Sequence, residues 1–263
     1  MSVLLLACSQ AVTTGQEKER ELIKKNKIQS ITEYVIFTHL GIEDKEYINH
    51  VRLFNREGLL IKETIFLKEG RMDFFAIHEY DRNNNLILTT AMKPDSSFFY
   101  KETLSYDGNH NMTEKVYFEQ PNGPYFYKNT AVYDSRRRMQ EYFWWWPTGL
   151  KAINTFTYDG MKMREKMECD PMGKFLYKWV FKYNEKENLT EAVQYYPDSI
   201  LNSKITYKYD LFNRLTKQIN YTRGSIQKTA TFEYDRKNLL TSKTEYSSAG
   251  RVSAKFRYLY EFF

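Results

Sequence analysis

The sequence predicts an all-β protein, a long antiparallel meander of tandem two-stranded repeats that forms a curled or spiral open sheet. Three observations predict this fold. A dipeptide of Tyr and an acid or amide recurs at a nearly constant interval, aromatic and charged residues alternate along the intervening segments, and turn-forming residues separate those segments. Recurrence at such an interval is typical of stacked structural repeats.

The composition agrees with strands that have one wet face. Tyr and Phe number 22 and 18, and 17% of the residues are aromatic, a class that suits a pleated and half-buried surface. Charged residues make up 27% and the mean hydropathy is −0.66, so much of the chain must face water. A thick core that buries both faces of every strand is therefore not expected.

The N-terminal segment indicates a cellular location. Leu4-Leu5-Leu6-Ala7 before Cys8 resembles the lipobox of bacterial lipoproteins, in which the signal peptide is cleaved before a Cys that then carries the lipid. The resemblance implies that residues 1–8 belong to a lipoprotein signal, with lipidation at Cys8 and a place in the cell envelope, at the outer membrane or in the periplasm. No Lys or Arg precedes Cys8 to form a basic n-region, so an ordinary hydrophobic N-terminus and a cytoplasmic location stay open.

Residues 9–30 are interpreted as a charged linker or short helix, and residues 31–263 as the repeat domain. The repeat domain contains about eight units of about 25 residues, because successive Tyr positions of the dipeptide differ by 26, 27, 25, 25, 26 and 25. Phe54-Asn55 is a degenerate first member. The other members are Tyr80-Asp81, Tyr106-Asp107, Tyr133-Asp134, Tyr158-Asp159, Tyr183-Asn184, Tyr209-Asp210 and Tyr234-Asp235.

Turn signals divide each unit into strand, turn, strand, turn. A turn former often lies three residues after the acid, as at Gly58, Asn84 and Asn213, and a second turn signal follows 14 to 16 residues after the acid. An Asp that enters a tight turn can accept hydrogen bonds from backbone N–H groups, and the preceding Tyr is expected to stack on equivalent rings in adjoining units. The dipeptides are therefore interpreted as structural.

Alternation predicts which residues face inward. A long sheet with one aromatic face must curl, with its rings on the concave side, because a large exposed apolar face invites association. The alternative is a nearly flat single-layer sheet. The rings expected inward and largely buried are Tyr177, Trp179, Phe181, Tyr207, Tyr209, Phe232, Tyr234 and Tyr258, and the side chains expected outward are Lys178, Lys182, Lys208 and Lys255.

The repeat resembles the YD (RHS-like) repeat, whose pattern is Tyr-Asp, a turn, then Arg-Leu. Tyr209-Asp210 followed by Asn213-Arg214-Leu215 is the closest match, and the resemblance covers about residues 50–260. It implies a repeat scaffold built from hairpins. The Gly-rich MORN repeat, a flat single-layer sheet, is the rival family, but this chain has only 11 Gly.

One aromatic cluster is a candidate binding surface for sugar rings or for apolar residues of a partner. It contains Tyr142, Trp144, Trp145 and Trp146, with Arg136, Arg137 and Arg138 in the preceding turn. Consecutive aromatic residues must point to both faces of a strand. The equally weighted alternative is that this strand is covered on both sides.

Other sites are not expected. The four His residues form no metal motif, no cofactor is expected, and no catalytic residue can be selected. A net charge of +6, without a long basic run, does not predict a nucleic-acid partner.

The sequence thus predicts a non-catalytic cell-envelope scaffold that presents its sheet to a protein or glycan and touches the membrane only through a lipid anchor. A soluble intracellular interaction module, of antitoxin or immunity type, is the alternative. A glycan-active enzyme, with two carboxylates converging from distant strands, is the third possibility.

Overall fold

The structure is a computed structural model that describes the backbone of residues 9–39 and 41–263 and the side chains of residues 17–39 and 41–263. One helix precedes nineteen strands in this part of the chain. The elements are α1 Ser9–Lys25, β1 Ile28–His39, β2 Ile42–Glu43, β3 Tyr47–Phe54, β4 Leu60–Phe66, β5 Met72–Tyr80, β6 Leu86–Met92, β7 Phe98–Tyr106, β8 Met112–Phe118, β9 Tyr127–Tyr133, β10 Met139–Trp146, β11 Gly149–Asp159, β12 Lys162–Cys169, β13 Phe175–Tyr183, β14 Leu189–Tyr195, β15 Leu201–Tyr209, β16 Leu215–Thr222, β17 Ser225–Tyr234, β18 Leu240–Ser247 and β19 Val252–Phe262.

The sheet closes on itself. From β3 to β19 each strand pairs antiparallel with the next, and β1 pairs with β3 on one edge and with β19 on the other, while the two-residue β2 pairs only with β1. Eighteen strands therefore form a closed antiparallel barrel. The predicted all-β meander is confirmed, but the predicted curled or spiral open sheet, and its flat alternative, are wrong. Closure satisfies the backbone groups that two free edges would leave unpaired.

At one end of the barrel, which we call the Asx rim, Asx turns join the two strands of most hairpins. Asp81 Oδ1 accepts hydrogen bonds from the backbone N–H groups of Asn83 and Asn85 at 2.8 and 2.9 Å. Hydrogen bonds from the Asn85 side chain and backbone lower the pKa of Asp81. The same pair of bonds is made by Asp107, Asp134, Asp210 and Asp235. The turn role predicted for the acid is confirmed for these five residues but not for Asp159, which ends β11 opposite Lys162.

The Tyr of each dipeptide links its hairpin to the preceding one. Tyr106 donates its hydroxyl to the Leu86 carbonyl at 2.9 Å, and burial raises the pKa of Tyr106 to about 12. Equivalent bonds at 2.7 to 3.0 Å are made by Tyr80, Tyr133, Tyr158, Tyr183, Tyr209, Tyr234 and Tyr260. The predicted stacking of these rings on one another is replaced by a hydrogen bond, because each hydroxyl reaches a backbone carbonyl of the adjacent strand in the preceding hairpin.

The register places the aromatic residues on the inner face of the wall. The inner assignment rests on burial, because the wall residues with almost no exposed surface, such as Val35, Ala76 and Asn154, share this crowded concave face. Of the eight rings predicted inward, Trp179, Phe181 and Tyr258 are buried. The other five are half-buried on the same face: Tyr177, Tyr207, Tyr209, Phe232 and Tyr234. Lys182, Lys208 and Lys255 are exposed and Lys178 is half-exposed on the opposite face.

Helix α1 lies against the Asx rim. Ile23 is buried in a cluster that also contains Ile28, Ile31, Phe54 and Tyr258. The helix also touches the β3–β4 turn, where Arg20 Nε donates to the Glu57 carbonyl at 3.0 Å. Within the described residues, no helix is long and apolar enough to cross a membrane.

We expect Tyr106→Phe to lower the free energy of unfolding by about 1 kcal/mol, because a half-buried carbonyl loses its hydrogen bond. Tyr246→Phe, which alters a tyrosine on the outer wall, is the control and should change stability less. Urea unfolding measures both. Equal effects would show that the link between hairpins contributes no stability of its own.

A second prediction concerns Gly58, whose φ is +76° and where an added Cβ would lie 2.6 Å from the Arg20 carbonyl oxygen. Gly58→Ala should both strain the turn and displace α1. Gly173→Ala is the matched control, since φ there is +82° and the added methyl group would meet open space. The left-handed backbone costs each variant about 1 kcal/mol. Only Gly58→Ala should also speed proteolysis within α1, and equal cleavage rates would contradict the docking of this helix.

Candidate ligand-binding lumen

The number of strands implies that the barrel encloses an open lumen. Eighteen strands about 4.8 Å apart give a backbone diameter of about 27 Å before strand tilt widens it, more than two opposite layers of side chains can fill. The extensive contacts among the described elements run between neighbouring strands of the wall, not across it. The accessible surface is 16132 Å². A compact monomer of this mass exposes about 12,000 Å², so the excess agrees with an inner surface that water reaches.

An aromatic ladder lies on the inner wall from β7 to β10. The Tyr117 and Tyr127 rings are parallel within 3° at 4.9 Å, and Tyr100 and Trp144 extend the stack on either side at 5.4 and 6.1 Å. Small residues flank these rings, since Ala91 lies opposite Tyr100 and Ala152 lies opposite Trp144 in the register. Stacked faces cover one another, so this part of the ladder stabilises the wall.

Two further rings continue the ladder toward the end of the barrel opposite α1, which we call the proline rim. Phe99 meets Tyr100 at 5.4 Å and 62°, and Phe126 meets Tyr117 at 6.1 Å and 68°. These steep angles leave Phe99 and Phe126 incompletely covered, with exposures of 39% and 50%. We call Phe99, Phe126 and Trp146 the mouth rings. Trp146 is 45% exposed and lies on the same side of β10 as Trp144 by alternation.

A carboxylate held by two histidines lies on the inner wall of β3, β4 and β5. Glu63 contacts His50 Nε2 at 3.0 Å and His78 Nε2 at 3.6 Å. His78 Nδ1 is 3.0 Å from Thr89 Oγ1 on β6. The hydrogen bond to His50, and then the contact with His78, lowers the pKa of Glu63 to about 2. In the described part of the chain no group of three or more His, Cys, Asp or Glu side chains is suited to a metal ion.

Charges on the inner wall are balanced and largely paired. Glu102 forms an ion pair with Lys115, and Glu245 forms ion pairs with Lys228 and Lys243 at 2.6 and 2.7 Å. At the regular inner strand positions the register places five carboxylates, Glu33, Glu63, Glu102, Glu168 and Glu245, and five basic groups, Arg52, Lys115, Lys166, Lys228 and Lys243. A balanced inner wall gives little attraction to a polyanion.

The predicted candidate surface is divided between two faces and two ends of the barrel. Tyr142 is buried on the inner wall, Trp144 and Trp146 lie on the same side, and Trp145 faces outward, where its Nε1 donates to Thr130 Oγ1 at 3.1 Å. The prediction that consecutive aromatic residues point to both faces is confirmed.

The three arginines lie away from the tryptophans. Arg136, Arg137 and Arg138 occupy the turn before β10, at the Asx rim, whereas Trp146 ends that strand at the proline rim. Arg138 donates to Asp134 Oδ2 and to the Gly160 carbonyl, so it fastens neighbouring turns. The structure therefore does not bring the arginines and the tryptophans together.

The mouth rings Phe99 and Phe126 were missed by the sequence reasoning. Each lies beside a turn in a run of three aromatic residues, Phe98-Phe99-Tyr100 and Tyr125-Phe126-Tyr127, and the antiparallel meander brings both to one edge. The repeated position of turn signals at this rim was the available clue, because every second connection had to meet at the same end.

The structure describes only one of the two cysteines. Cys8 lies outside the described residues. Cys169 is a free thiol at the end of β12, and burial raises its pKa.

Comparisons with known proteins do not give a family. No protein-family model and no curated protein matches the chain. Among solved structures, the chain is similar to a porin-like protein from Bacteroides uniformis ATCC 8492, with 14% identity, 89% of this chain and 98% of that chain covered, and a TM-score of 0.48. A porin-like protein from Bacteroides vulgatus ATCC 8482 is 12% identical over 72% of this chain and 95% of that chain, with a TM-score of 0.35.

The resemblance to YD (RHS-like) repeats is not upheld. The sheet is a closed barrel and not a spiral of repeats, so the identification as a short YD-repeat lipoprotein is wrong. The periodic dipeptide is accounted for by the Asx turns and by the tyrosine bonds between hairpins. Both are local features of the connections at the Asx rim, although the β11–β12 connection, where Asp159 pairs with Lys162, lacks the Asx turn.

The pH dependence of stability in Glu63→Gln, compared with the wild-type protein, tests the histidine contacts of Glu63. A carboxyl whose pKa is lowered from 4.5 to about 2 contributes stability that is fully present above about pH 4.5 and is lost as the pH falls toward 2. The wild-type protein should therefore be more stable than Glu63→Gln near neutral pH, and this difference should shrink between about pH 5 and about pH 3. Urea unfolding at each pH measures it, and a constant difference would contradict the assignment.

Proposed function

We propose that this protein is a non-catalytic binding barrel of the cell envelope, anchored by lipid at Cys8, that receives its ligand in the lumen. The observation that carries the proposal is the open inner wall with exposed aromatic rings at one mouth. Such a concave surface, mostly apolar with a few polar groups, is the usual form of a ligand site.

The charged side chains of the outer wall support a barrel whose outer surface faces water and not lipid. Lys62, Lys101, Lys128, Lys178 and Lys204 lie on outer positions within their strands. A Lys that faces lipid at the bilayer midplane costs about 2–4 kcal/mol. Several strands, including β4, β6 and β8, have 7 residues, whereas a strand that spans a bilayer needs about 9–11. Attachment through a lipid on Cys8 therefore fits the wall better than insertion of the barrel.

The inner carboxylates support binding without catalysis. A glycoside hydrolase needs a general acid whose pKa is raised. The pKa of Glu63 is lowered by its two histidines. Glu245 also has a lowered pKa, because hydrogen bonds from Lys228 and Lys243 outweigh the opposing effect of burial. Both groups stay ionised, as acceptors or ion-pair partners.

The anchor is tested by Cys8→Ser, with Cys169→Ser as the matched control. We expect the wild-type protein and Cys169→Ser to sediment with membranes and to carry an N-terminal lipid at Cys8 by mass spectrometry. Cys8→Ser should be soluble without detergent, because the outer wall carries charges along its strands.

Two outcomes would contradict the proposal. An unmodified Met1 with the wild-type protein in the cytosol would favour the intracellular interaction module. A Cys8→Ser variant that still needs detergent would indicate a barrel embedded in the membrane.

A further inference from the structure

We infer that the mouth rings Phe99, Phe126 and Trp146 bind an uncharged glycan chain across the inner edge of the proline rim. The inference rests on the proposed lumenal binding function and names its ligand class. It depends on three features of this edge: open ring faces, adjacent polar groups and balanced charge.

Phe99 and Phe126 are available for stacking, whereas the ladder beneath them is not. The third mouth ring, Trp146, has Lys151 Nζ over it at 5.2 Å from the ring centroid. The parallel rings of Tyr117 and Tyr127 cover each other. Phe126 and Phe99 meet the ladder at steep angles, and these residues are 50% and 39% exposed. An exposed aromatic face is suited to the C–H face of a sugar ring, since both are flat and weakly polar.

The rings span a distance that suits a chain and not a single sugar. Phe99 belongs to β7, Phe126 directly precedes β9 and Trp146 ends β10. Adjacent strands are about 4.8 Å apart, so the arc from β7 to β10 is about 15 Å long. A chain of several sugars can therefore lie across the arc and contact all three rings at once.

Polar groups on the wall beneath the mouth rings, next to the ladder, can bond sugar hydroxyls that extend into the lumen. The Glu102 and Lys115 side chains are 19% and 27% exposed, and the Tyr127 hydroxyl lies 3.4 Å from Glu102 Oε1. Burial raises the pKa values of Tyr100, Tyr117 and Tyr127, so their hydroxyls remain protonated donors. The edge therefore offers both donors and acceptors, as a sugar requires.

The charge pattern favours an uncharged ligand. Glu102 and Lys115 neutralise each other, and the inner wall as a whole carries equal numbers of acidic and basic groups at its regular positions. Binding driven by such an edge should depend little on salt, because no net field attracts the ligand. A sulfated glycan of the same length should bind more weakly.

The test uses the purified full-length protein and two uncharged hexasaccharides, one of β-1,4-linked glucose and one of β-1,4-linked N-acetylglucosamine, with a heparin hexasaccharide as the charged comparison. Isothermal titration measures the Kd at low and high NaCl. We expect at least one uncharged hexasaccharide to bind with a Kd that salt changes by less than about twofold. The heparin fragment should bind more weakly.

Three variants distinguish the loss of ligand contacts to the mouth rings from the loss of folding. Phe99→Ala/Phe126→Ala/Trp146→Ala should raise the Kd by about tenfold or more. Phe99→Tyr/Phe126→Tyr/Trp146→Phe keeps three ring faces and should bind like the wild-type protein. The matched control is Phe143→Ala/Trp145→Ala, which removes two rings from the outer side of β10 and should leave the Kd unchanged. Circular dichroism confirms that each variant is folded.

Four outcomes would overturn the inference: neither uncharged hexasaccharide binds, the heparin fragment binds more tightly, the alanine variant binds like the wild-type protein, or the mouth rings bind vesicles of zwitterionic lipid and no glycan. Each leaves the lipid on Cys8 and the cellular location untouched. Failure of the glycan site is therefore distinguishable from failure of the envelope proposal.

Discussion

The pairing of β1 with both β3 and β19 is the constraint on which the rest of the structure depends. These contacts join residues near the two ends of the described chain, so closure must overcome the entropy of ordering more than 200 intervening residues. The seam has additional bonds. Lys255 and Arg257 form ion pairs with Glu43 and Glu46, and Phe263 N donates to the Lys27 carbonyl at 2.9 Å. Without this seam the sheet would have two free edges and no enclosed lumen.

Closure also determines how large rings fit on a concave wall. Side chains converge on the inner face, so large and small residues must be neighbours across the strands. Ala131 lies opposite Tyr142, Ala192 opposite Phe181, and Ala91 opposite Tyr100. The small residues leave room for rings to lean along the wall, and the tyrosines of the dipeptides reach carbonyls of the adjacent strand.

The sequence predicted those parts of the fold that depend on short-range chemistry. The alternation around Trp179 and Phe181 identified the buried face correctly, because successive side chains of a strand point to opposite faces of the sheet. The Asx turns at Asp81 and Asp210 were predictable for the same reason. Closure was not, because it depends on twist and register accumulated over eighteen strands, and no single repeat contains that information.

The candidate site was only partly predictable for the same reason. Trp144 and Trp146 were selected as unusual residues, and both lie on the inner wall. The pairing of His50 and His78 with Glu63 joins three strands, so no spacing within one strand could indicate it. Phe99 and Phe126 each lie in a run of three aromatic residues that was not selected, and the meander gives them a common edge with Trp146.

The two ends of the barrel differ, and this difference gives the lumen a direction. The Asx rim carries α1, whose Ile23 is buried with inner-wall residues, so this mouth is partly occupied. At the other rim lie the six prolines of the chain, Pro94, Pro121, Pro124, Pro147, Pro171 and Pro197, in the connections from β6 to β15. Prolines restrict the backbone of these turns. Exposed rings beside such turns lose little freedom when a ligand orders them, which favours binding at this mouth.

The position of α1 at the Asx rim also bears on the anchor. An anchor that precedes α1 would attach at the end of the barrel opposite the mouth rings, and would leave them open to a ligand.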